Sequence, residues 1–518
     1  MRRRLRPESR QTFPDTLKLM RPLAFLLLPG LLCAQSLQDF EKKVTKFTLA
    51  NGLTFLVLER HEAPVVSFHT YANVGSVDDP SGHTGLAHMM EHMAFKGTET
   101  IGTKNWPEEK KALDAVEEAY DRLEAEQNKA FRADPKKLDA LKADLKGAID
   151  KANSYVEPNE YDRIVEANGG VGMNANTAED QTQFFYSFPS NRLELWFLLE
   201  SSRFYHPVLR EFYKERDVVR EERRMRTESS PIGELVEQML ATAFIAHPYK
   251  VSPIGWSSDI ENLRRPDAEQ FFKRYYTPGN LTIAIVGDVN PMEAKRLAEK
   301  YFGRLPKGPT PPIVRTVEPE QPGERTAAVE SPAQPFLLIG YKRPNQYSPD
   351  DAALEVLSDI LSDGRTGLIY KDMVRDKQMA LSAESDASFP GGKYPSLLIF
   401  FVVPAQSHTV EENEKEIDSI LDRVKREKVD PESLQRVKTK LRAALIRKLG
   451  SNTGLAEQLT YYEANFGDWR KLFTQIDDFN KVTAEDLMRV AKKYFVKDSR
   501  TVAYTVAPAP RQANGEAK

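Results

Sequence analysis

Two histidines lie four residues apart in the stretch His88-Met-Met-Glu91-His92. On a helix, this spacing places both imidazoles on one face about a turn apart, close enough to bind one Zn²⁺ ion. Glu91 follows His88 by three residues, so it shares that face and could accept a proton from a water whose pKa the ion has lowered. The pattern therefore predicts a metal site with its own general base. The alternative is a pair of surface histidines beside a glutamate in a salt bridge.

A catalytic zinc site also needs a third protein ligand and an open position for water. The candidates are Glu215 and Glu222, which lie seven residues apart in a strongly helical run and therefore on one helical face. One of them could bind the metal while the other hydrogen-bonds a ligand or the water. A solvated charged face is the usual explanation of such a run, and it is the histidine pair that favours the metal.

Local patterns predict the elements that carry the histidines. Residues 47–58 alternate between apolar and polar types around Asn51-Gly52, which is typical of a β-hairpin. Residues 65–74 are predicted to form another strand, and residues 82–95 a helix that follows it. The two histidines would then lie on a helix that comes directly after a buried strand.

A second kind of pattern begins after this helix. Apolar residues recur at helical spacing from Leu113 and again from Leu138, with Asp134-Pro135 between the two runs. This predicts a charged helical hairpin insertion at about residues 105–157. Its favoured interpretation is a solvated antiparallel coiled coil without chemistry.

The chain is predicted to contain two related units. Eight prolines in residues 306–335 mark a domain linker. Residues 273–286 align without a gap with residues 492–505, and each copy is predicted to be a basic amphipathic helix followed by a strand. Chance similarity of two helix–strand pairs is not excluded by this match alone. The predicted fold class is α+β, with homologous domains at 35–305 and 336–508.

The N-terminus has the features of a targeting segment. Residues 22–33 are apolar and uncharged, too short to span a bilayer but typical of the core of a signal peptide. Arg21 supplies a positive flank, and cleavage after Ala34 would make residues 1–34 a leader. Translation is expected to start at Met20 rather than at Met1. The alternative is a buried element of the first domain. Cleavage would remove the single cysteine, which suits an exported protein, so we expect a periplasmic or secreted location.

Composition excludes several other classes of protein. The 518 residues are 40% hydrophobic and 29% charged, which excludes a polytopic membrane protein, a disordered chain and a fibre. The formal net charge of −3 gives no indication of nucleic-acid binding, and a single cysteine excludes a disulfide scaffold. No stable membrane anchor is expected, and residues 509–518 are predicted to be disordered.

Residues 85–98, GLAHMMEHMAFKGT, resemble the zinc-site signature of the pitrilysin/insulinase peptidases. Within that family the chain is similar to the branch that contains mitochondrial processing peptidase and its bacterial relatives. The resemblance extends over about residues 40–508, because further stretches also match the family, at 174–182, 215–222, 247–256 and 276–288. It implies two homologous α+β domains, each a mostly antiparallel sheet packed by helices, in chains that pair and close like a clamshell.

The resemblance also implies a role for each candidate residue. One zinc ion per chain would be bound by His88, His92 and Glu222. Glu91 would act as the general base, and Glu215 as a supporting catalytic carboxylate. Asn174 and Ala175 would present their backbone to a peptide that binds as an added strand.

The second domain departs from the family's pattern. Its members carry an arginine and a tyrosine seven residues apart, which bind the substrate carbonyl and stabilise its oxyanion. Here Arg375 is kept as a substrate-binding candidate, but Ser382 stands in place of the tyrosine. The chain is therefore expected to be the zinc-bearing subunit of a two-subunit peptidase whose partner carries an intact Arg/Tyr pair. A homodimer in which Ser382 only tunes the site is the alternative.

These features together predict a zinc-dependent endopeptidase that hydrolyses oligopeptides or unfolded segments. The alternative is a non-catalytic scaffold or peptide-binding subunit of the same fold, although such members usually lose the glutamate or a histidine of the motif. The separation of His92 from Glu222 is roughly fifty residues longer than is usual for the family. The predicted helical hairpin accounts for this excess.

Overall fold

The computed structural model describes residues 41–332 and 334–508. From Val44 onward, these residues form one compact unit built on two β-sheets and their covering helices. The predicted leader, residues 1–34, and the predicted tail, residues 509–518, lie outside the described residues. Within the described part of the chain, no helix is both long and apolar enough to cross a membrane.

The first sheet is made by six strands, β1 (Val44–Thr48), β2 (Thr54–Glu59), β3 (Val65–Ala72), β4 (Val171–Thr177), β5 (Thr182–Pro189) and β6 (Leu281–Gly287). Their order is β1-β2-β6-β3-β5-β4, so β4 lies at one edge. β1 and β2 form the predicted hairpin, with Thr48 opposite Thr54. β2 and β6 run parallel, and the other neighbouring strands are antiparallel.

The second sheet is made by five strands, β7 (Arg325–Glu330), β8 (Leu337–Arg343), β9 (Ala380–Phe389), β10 (Ser396–Pro404) and β11 (Arg500–Val506). Their order is β7-β11-β8-β10-β9. β7 and β11 are parallel and the remaining pairs antiparallel, which reproduces the first sheet without β1. β7 lies within the segment 306–335 that the sequence predicts as a linker. That segment is thus not linker throughout, because the stretch between Pro322 and Pro332 is free of proline and pairs with β11.

Ten α-helices lie between β3 and β7 in the described residues: α1 (Leu86–Met93), α2 (Trp106–Gln127), α3 (Pro135–Asn153), α4 (Glu160–Ala167), α5 (Leu193–Tyr205), α6 (Phe212–Arg223), α7 (Pro231–Ala243), α8 (Ser257–Asn262), α9 (Arg265–Tyr275) and α10 (Pro291–Phe302). The helices that follow β8 are α11 (Asp351–Ser362), α12 (Val410–Arg426), α13 (Pro431–Lys448), α14 (Asn452–Phe466), α15 (Lys471–Lys481) and α16 (Ala484–Tyr494).

The internal repeat predicted from the sequence is present in the fold. α9 and β6 begin at residues 265 and 281, and their counterparts α16 and β11 begin at residues 484 and 500, so both pairs differ by 219 positions. The strand directions on either side of β6 and β11 also correspond. The prediction of an α+β fold with two homologous halves is therefore confirmed.

The helical hairpin consists of α2 and α3, which pack against each other along their length. It is not a free-standing coiled coil, however. Leu113, Val116 and Tyr120 of α2 are buried in the core of the first half, and the ring of Tyr120 stacks on that of Tyr213 at 5.1 Å. Ala152 of α3 belongs to the same core, so both helices of the hairpin take part in its packing.

Two equivalent helices are exchanged between the halves. α7, from the first half, packs on β7 and β11 of the second sheet, where Leu235, Met239 and Leu240 join that sheet's buried residues. α14, from the second half, packs on β3 and β6 of the first sheet. Because each half covers part of the other's sheet, the two halves form one body.

A buried histidine lies in the contact between α14 and the first sheet. The Nδ1 atom of His69, on β3, lies 2.8 Å from Thr460 Oγ1 of α14. The Nε2 atom lies 3.2 Å from Gln183 Oε1 of β5. Burial lowers the pKa of His69 from 6.5 to about 4, so the folded protein holds this imidazole neutral at neutral pH.

This buried imidazole gives an expected dependence of stability on pH. The unfolded chain binds a proton near pH 6.5 and the folded chain only near pH 4, so its contribution is complete above pH 6.5 and decreases as pH falls towards 4. Between pH 7 and pH 5, we expect the free energy of unfolding to fall by about 2 kcal/mol more in the wild type than in His69→Gln. Urea denaturation of both proteins at the two pH values measures this difference, and parallel losses would contradict the assignment.

Candidate metal centre and peptide cleft

The helix that carries the two histidines begins at Leu86, later than the predicted start at residue 82. Its start is fixed by the half-buried carboxylate of Asp79, which accepts hydrogen bonds from the backbone N–H groups of Gly85 and Ala87, both at 2.8 Å. Gly85 has a φ of +88°, and a Cβ there would lie 2.7 Å from the carbonyl oxygen of Ile254. The turn before α1 therefore requires glycine, and it fixes where the histidines lie.

α6 packs against α1 and brings a carboxylate to both histidines. Glu222 Oε2 lies 3.7 Å from His88 Nε2 and 3.4 Å from His92 Nε2. One candidate ligand atom from each of the three residues lies within 4.8 Å of the other two. The structure therefore brings together the three side chains that the sequence predicts as metal ligands.

The spacing of these atoms fits a bound zinc ion. Zinc bonds to nitrogen and oxygen are about 2.0–2.2 Å long, so two ligands of a tetrahedral ion lie about 3.3–3.5 Å apart. A direct hydrogen bond between imidazole and carboxylate would instead bring the two atoms to about 2.8 Å. Two imidazoles and one carboxylate are also a donor set that zinc enzymes use, with a further position left open. The residues present thus suit this metal.

Glu215 occupies a different position from Glu222. Its Oε2 atom lies 3.5 Å from His92 Nδ1, the nitrogen that faces away from Glu222, and its other oxygen pairs with Lys96. Burial acts to raise the pKa of Glu215, but His92 and Lys96 outweigh it and lower this pKa to about 2. An ionised carboxylate on Nδ1 suits a residue that orients the imidazole rather than one that binds the metal.

The protein groups also set the charge of the cluster. Burial, together with the neighbouring His92, lowers the pKa of His88 to about 4. Burial acts in the same direction on His92, but the carboxylates of Glu215 and Glu222 outweigh it and raise that pKa to about 9. His92 in turn lowers the pKa of Glu222. At neutral pH and without a metal, His88 is therefore neutral, Glu222 is ionised and His92 is protonated. Metal binding would displace a proton from His92.

Glu91 lies beside the cluster without belonging to it in the described structure. Burial raises its pKa above the usual range, and a hydrogen bond from the hydroxyl of Thr177 works against this rise. Thr177 is the last residue of the edge strand β4. The Glu91 carboxylate, the candidate proton acceptor, thus lies between the candidate metal ligands and the edge of the sheet.

These residues line an open cleft of about 940 Å³. One wall is formed by α1 and α6, and the other by residues 174–177 of β4. β4 is the last strand of its sheet, so within the described residues its outer edge has no neighbouring strand. The N–H of Ala175 donates to the side-chain oxygen of Asn174 at 2.9 Å, so this backbone group has a local partner within β4. An extended peptide could pair with the outer edge of β4.

Arg375 lies elsewhere. It belongs to a π-helical turn, Tyr370–Asp376, in the second half, where its side chain is 56% exposed and pairs with Asp376. It is not among the described residues that line the cleft. Ser382 lies on β9, the edge strand of the second sheet, opposite Val403. The fold of a single chain therefore does not bring this pair of positions to the metal ligands.

The second half has no counterpart of the metal cluster in its equivalent helices. α11 and α13 take the places of α1 and α6 in the repeat and pack against each other, but neither contains a histidine. Instead, Lys440 of α13 pairs with Asp363 just after α11. The duplicated fold thus repeats the framework of the site, while among the described residues the candidate metal-binding cluster occurs in the first half.

Several residues of the site were not identified from the sequence. Lys96 and Thr177 lie inside stretches that resemble the family but carry no recognisable pattern of their own. Arg226 follows Glu222 by four residues, and this spacing of opposite charges on a helix is a signal that could have found it. Asp79 acts through backbone groups, which leaves no pattern of side chains to detect.

The matches to known proteins agree with this architecture. Residues 55–129 match the sequence profile of the insulinase family, peptidase family M16, and residues 262–441 match that of the peptidase M16 inactive domain. The chain belongs to the insulinase family, M16. It is 28% identical over 502 residues to the zinc protease PqqE of Helicobacter pylori, an alignment that covers 95% of this chain and 99% of that protein.

Solved structures show the same fold. The crystal structure of a protease from Helicobacter pylori superimposes with a TM-score of 0.74 and 28% identity, covering 90% of this chain and 99% of that one. The first half of the periplasmic protease PqqL from Escherichia coli superimposes with a TM-score of 0.65 and 16% identity, covering 90% and 92% of the two chains. The second of these likenesses concerns the fold alone.

Proposed function

We propose that this protein is a zinc-dependent endopeptidase that hydrolyses oligopeptides or unfolded segments. The observation that carries this proposal is the convergence of His88, His92 and Glu222 with Glu91 beside an open sheet edge. The match to the inactive domain begins at residue 262, after all four of these residues. It therefore supports an inactive second half, and it does not argue against a peptidase site in the first.

The mechanism follows from what each side chain can do. A zinc ion held by His88, His92 and Glu222 would polarise the scissile carbonyl and lower the pKa of a water molecule. The carboxylate of Glu91 accepts a proton from that water and passes it to the leaving amine, and burial, which raises its pKa, helps it to hold the proton between the two transfers. The edge of β4 aligns the peptide backbone with these groups.

The proposal extends to a second chain and to a location. Because Arg375 does not reach the cleft of its own chain, an oxyanion-binding pair would have to come from another subunit. We propose a dimer, either with a related subunit that carries an intact Arg/Tyr pair or with a second copy in which Ser382 tunes the site. A periplasmic or secreted location is proposed from the leader pattern in residues 1–34 and from the periplasmic relative of the same fold.

Hydrolysis of a quenched fluorescent peptide library by the purified protein tests the proposed function. We expect turnover that a chelator abolishes and that added zinc restores. Turnover that a chelator leaves unchanged would overturn the metal mechanism. If the protein alone is inactive, a relative that carries the Arg/Tyr pair is added, and continued inactivity in the presence of bound zinc would reject the peptidase in favour of a scaffold.

The edge strand provides a prediction of its own. Proline at position 175 removes the N–H that now donates to Asn174, and its ring obstructs an incoming strand. We expect Ala175→Pro to lower kcat/KM for extended peptides about tenfold, because at least one backbone hydrogen bond to the substrate is lost. Ala175→Ser keeps the N–H and is the matched control. Equal kcat/KM for the two variants would show that the peptide does not pair at this residue.

A further inference from the structure

The two glutamates of the site share one arrangement of their oxygens. In Glu222, Oε2 faces both histidines while Oε1 accepts from Arg226 Nη1 at 2.8 Å. In Glu215, Oε2 faces His92 Nδ1 while Oε1 accepts from Lys96 Nζ. In both residues, therefore, a cation binds the outer oxygen and leaves one inner oxygen for the metal ligands.

Lys96 lies three residues after the end of α1 and is held by several contacts. Its side chain is 18% exposed and also donates to Glu211 at 3.3 Å. Its backbone carbonyl accepts a hydrogen bond from the buried Arg210. Because both the backbone and the ammonium group of Lys96 are held by these contacts, the side chain has little freedom, and Glu215 is paired with a rigid partner.

Arg226 lies on the π-helical turn Arg224–Glu228 that continues α6. Its side chain is 72% exposed and lines the cleft, whereas Glu222 is only 16% exposed. An exposed ion pair adds little to stability, so a role in folding does not account for it. Its neighbour Arg224, on the same turn, instead pairs with Glu221 and does not touch the cluster in the described structure.

We propose that Lys96 and Arg226 are positioning residues that orient the metal-binding groups. This inference rests on the proposed zinc site. With its outer oxygen bound to Arg226, Glu222 offers the ion one oxygen rather than two, which keeps a coordination position open. With its outer oxygen bound to Lys96, Glu215 accepts the proton of His92 Nδ1, and the lone pair of Nε2 is directed at the metal.

Zinc affinity is the measurement that tests this role, because it does not depend on turnover. We expect Arg226→Gln and Lys96→Met each to weaken zinc binding about tenfold, in a competition assay with a chromophoric chelator. The double variant is expected to lose about a hundredfold. Arg224→Gln removes the same charge from the same turn and is expected to bind zinc as the wild type does. Arg226→Lys and Lys96→Arg keep the cation and should retain most of the affinity.

The outcomes separate this inference from the proposed function. Unchanged zinc affinity in Arg226→Gln and Lys96→Met, or an equal loss in Arg224→Gln, would overturn the positioning role even if the enzyme is active. Weakened binding in those two variants would support the role even if no peptide is hydrolysed. Thermal unfolding of the zinc-free proteins shows whether each variant is folded, and Lys96→Gln, which also removes the cation, replaces Lys96→Met if the latter is not.

Discussion

Glu91→Gln is expected to lower kcat for peptide hydrolysis about a thousandfold while the zinc affinity stays within about twofold of the wild type. The amide keeps the size of the side chain but cannot accept a proton. Glu91 is also not one of the three side chains that form the ligand cluster in the described structure. Loss of the base should therefore leave metal binding intact, which separates a catalytic role from a ligand role.

The matched control for Glu91→Gln is Glu293→Gln, on the surface of α10. Glu293 pairs with Arg296 and lies outside the described lining of the cleft, so the same chemical change there should leave kcat unchanged. Steady-state hydrolysis of a single fluorescent peptide measures both variants. A Glu91→Gln protein that retains more than about a tenth of the wild-type kcat would rule out Glu91 as the general base.

Arg210→Met is expected to lower the free energy of unfolding by about 3–5 kcal/mol. Arg210 is 1% exposed and forms an ion pair with Glu109 of α2, Nε to Oε1 at 2.8 Å. Its guanidinium also donates to the backbone carbonyls of Lys96, Thr98 and Ile101. The variant would leave a buried carboxylate without its cation and would remove the guanidinium donor from three carbonyl groups, of which that of Ile101 keeps the N–H of Thr98.

Urea denaturation measures this loss, with Arg296→Met as the matched control. Arg296 forms an exposed pair with Glu293, so its removal should change the free energy of unfolding by less than about 1 kcal/mol. The turn around Arg210 has little room to adjust, because Gly97 has a φ of +91° and a Cβ there would lie 2.3 Å from the Ile101 carbonyl oxygen. A loss below about 1 kcal/mol for Arg210→Met would show that this turn is not held by the guanidinium.

Two of the candidate metal ligands could be proposed from the sequence because their signal is local. The spacing of His88 and His92 sets which helical face they share, whatever the rest of the fold does. Whether Glu222 lies beside them depends on how α6 packs on α1. Only the resemblance to a family indicated that Glu222, rather than Glu215, would be the third ligand. Lys96 and Arg226 act on single oxygens of these carboxylates, and no pattern in a sequence specifies which oxygen faces which neighbour.

The fold was predictable where an element depends on its own residues. The β1–β2 hairpin follows from Asn51-Gly52, and the offset of 219 residues identified two equivalent helix–strand pairs. The sheet on which α7 packs was not predictable. The pattern of an amphipathic helix indicates that one face packs on an apolar surface, but it does not indicate which sheet provides that surface. β7 escaped prediction because it has few large apolar residues and lies between prolines.

The exchange of α7 and α14 gives the chain the topology of a domain-swapped dimer whose two subunits have been joined covalently. Neither half would keep a complete core if it were made alone, because each sheet would lose the helix that covers one of its faces. A cut within residues 306–322 would leave two fragments that remain bound to each other through both helices. The second half is thus a structural part of the half that carries the candidate metal cluster, since α14 lies on the sheet that carries the cleft.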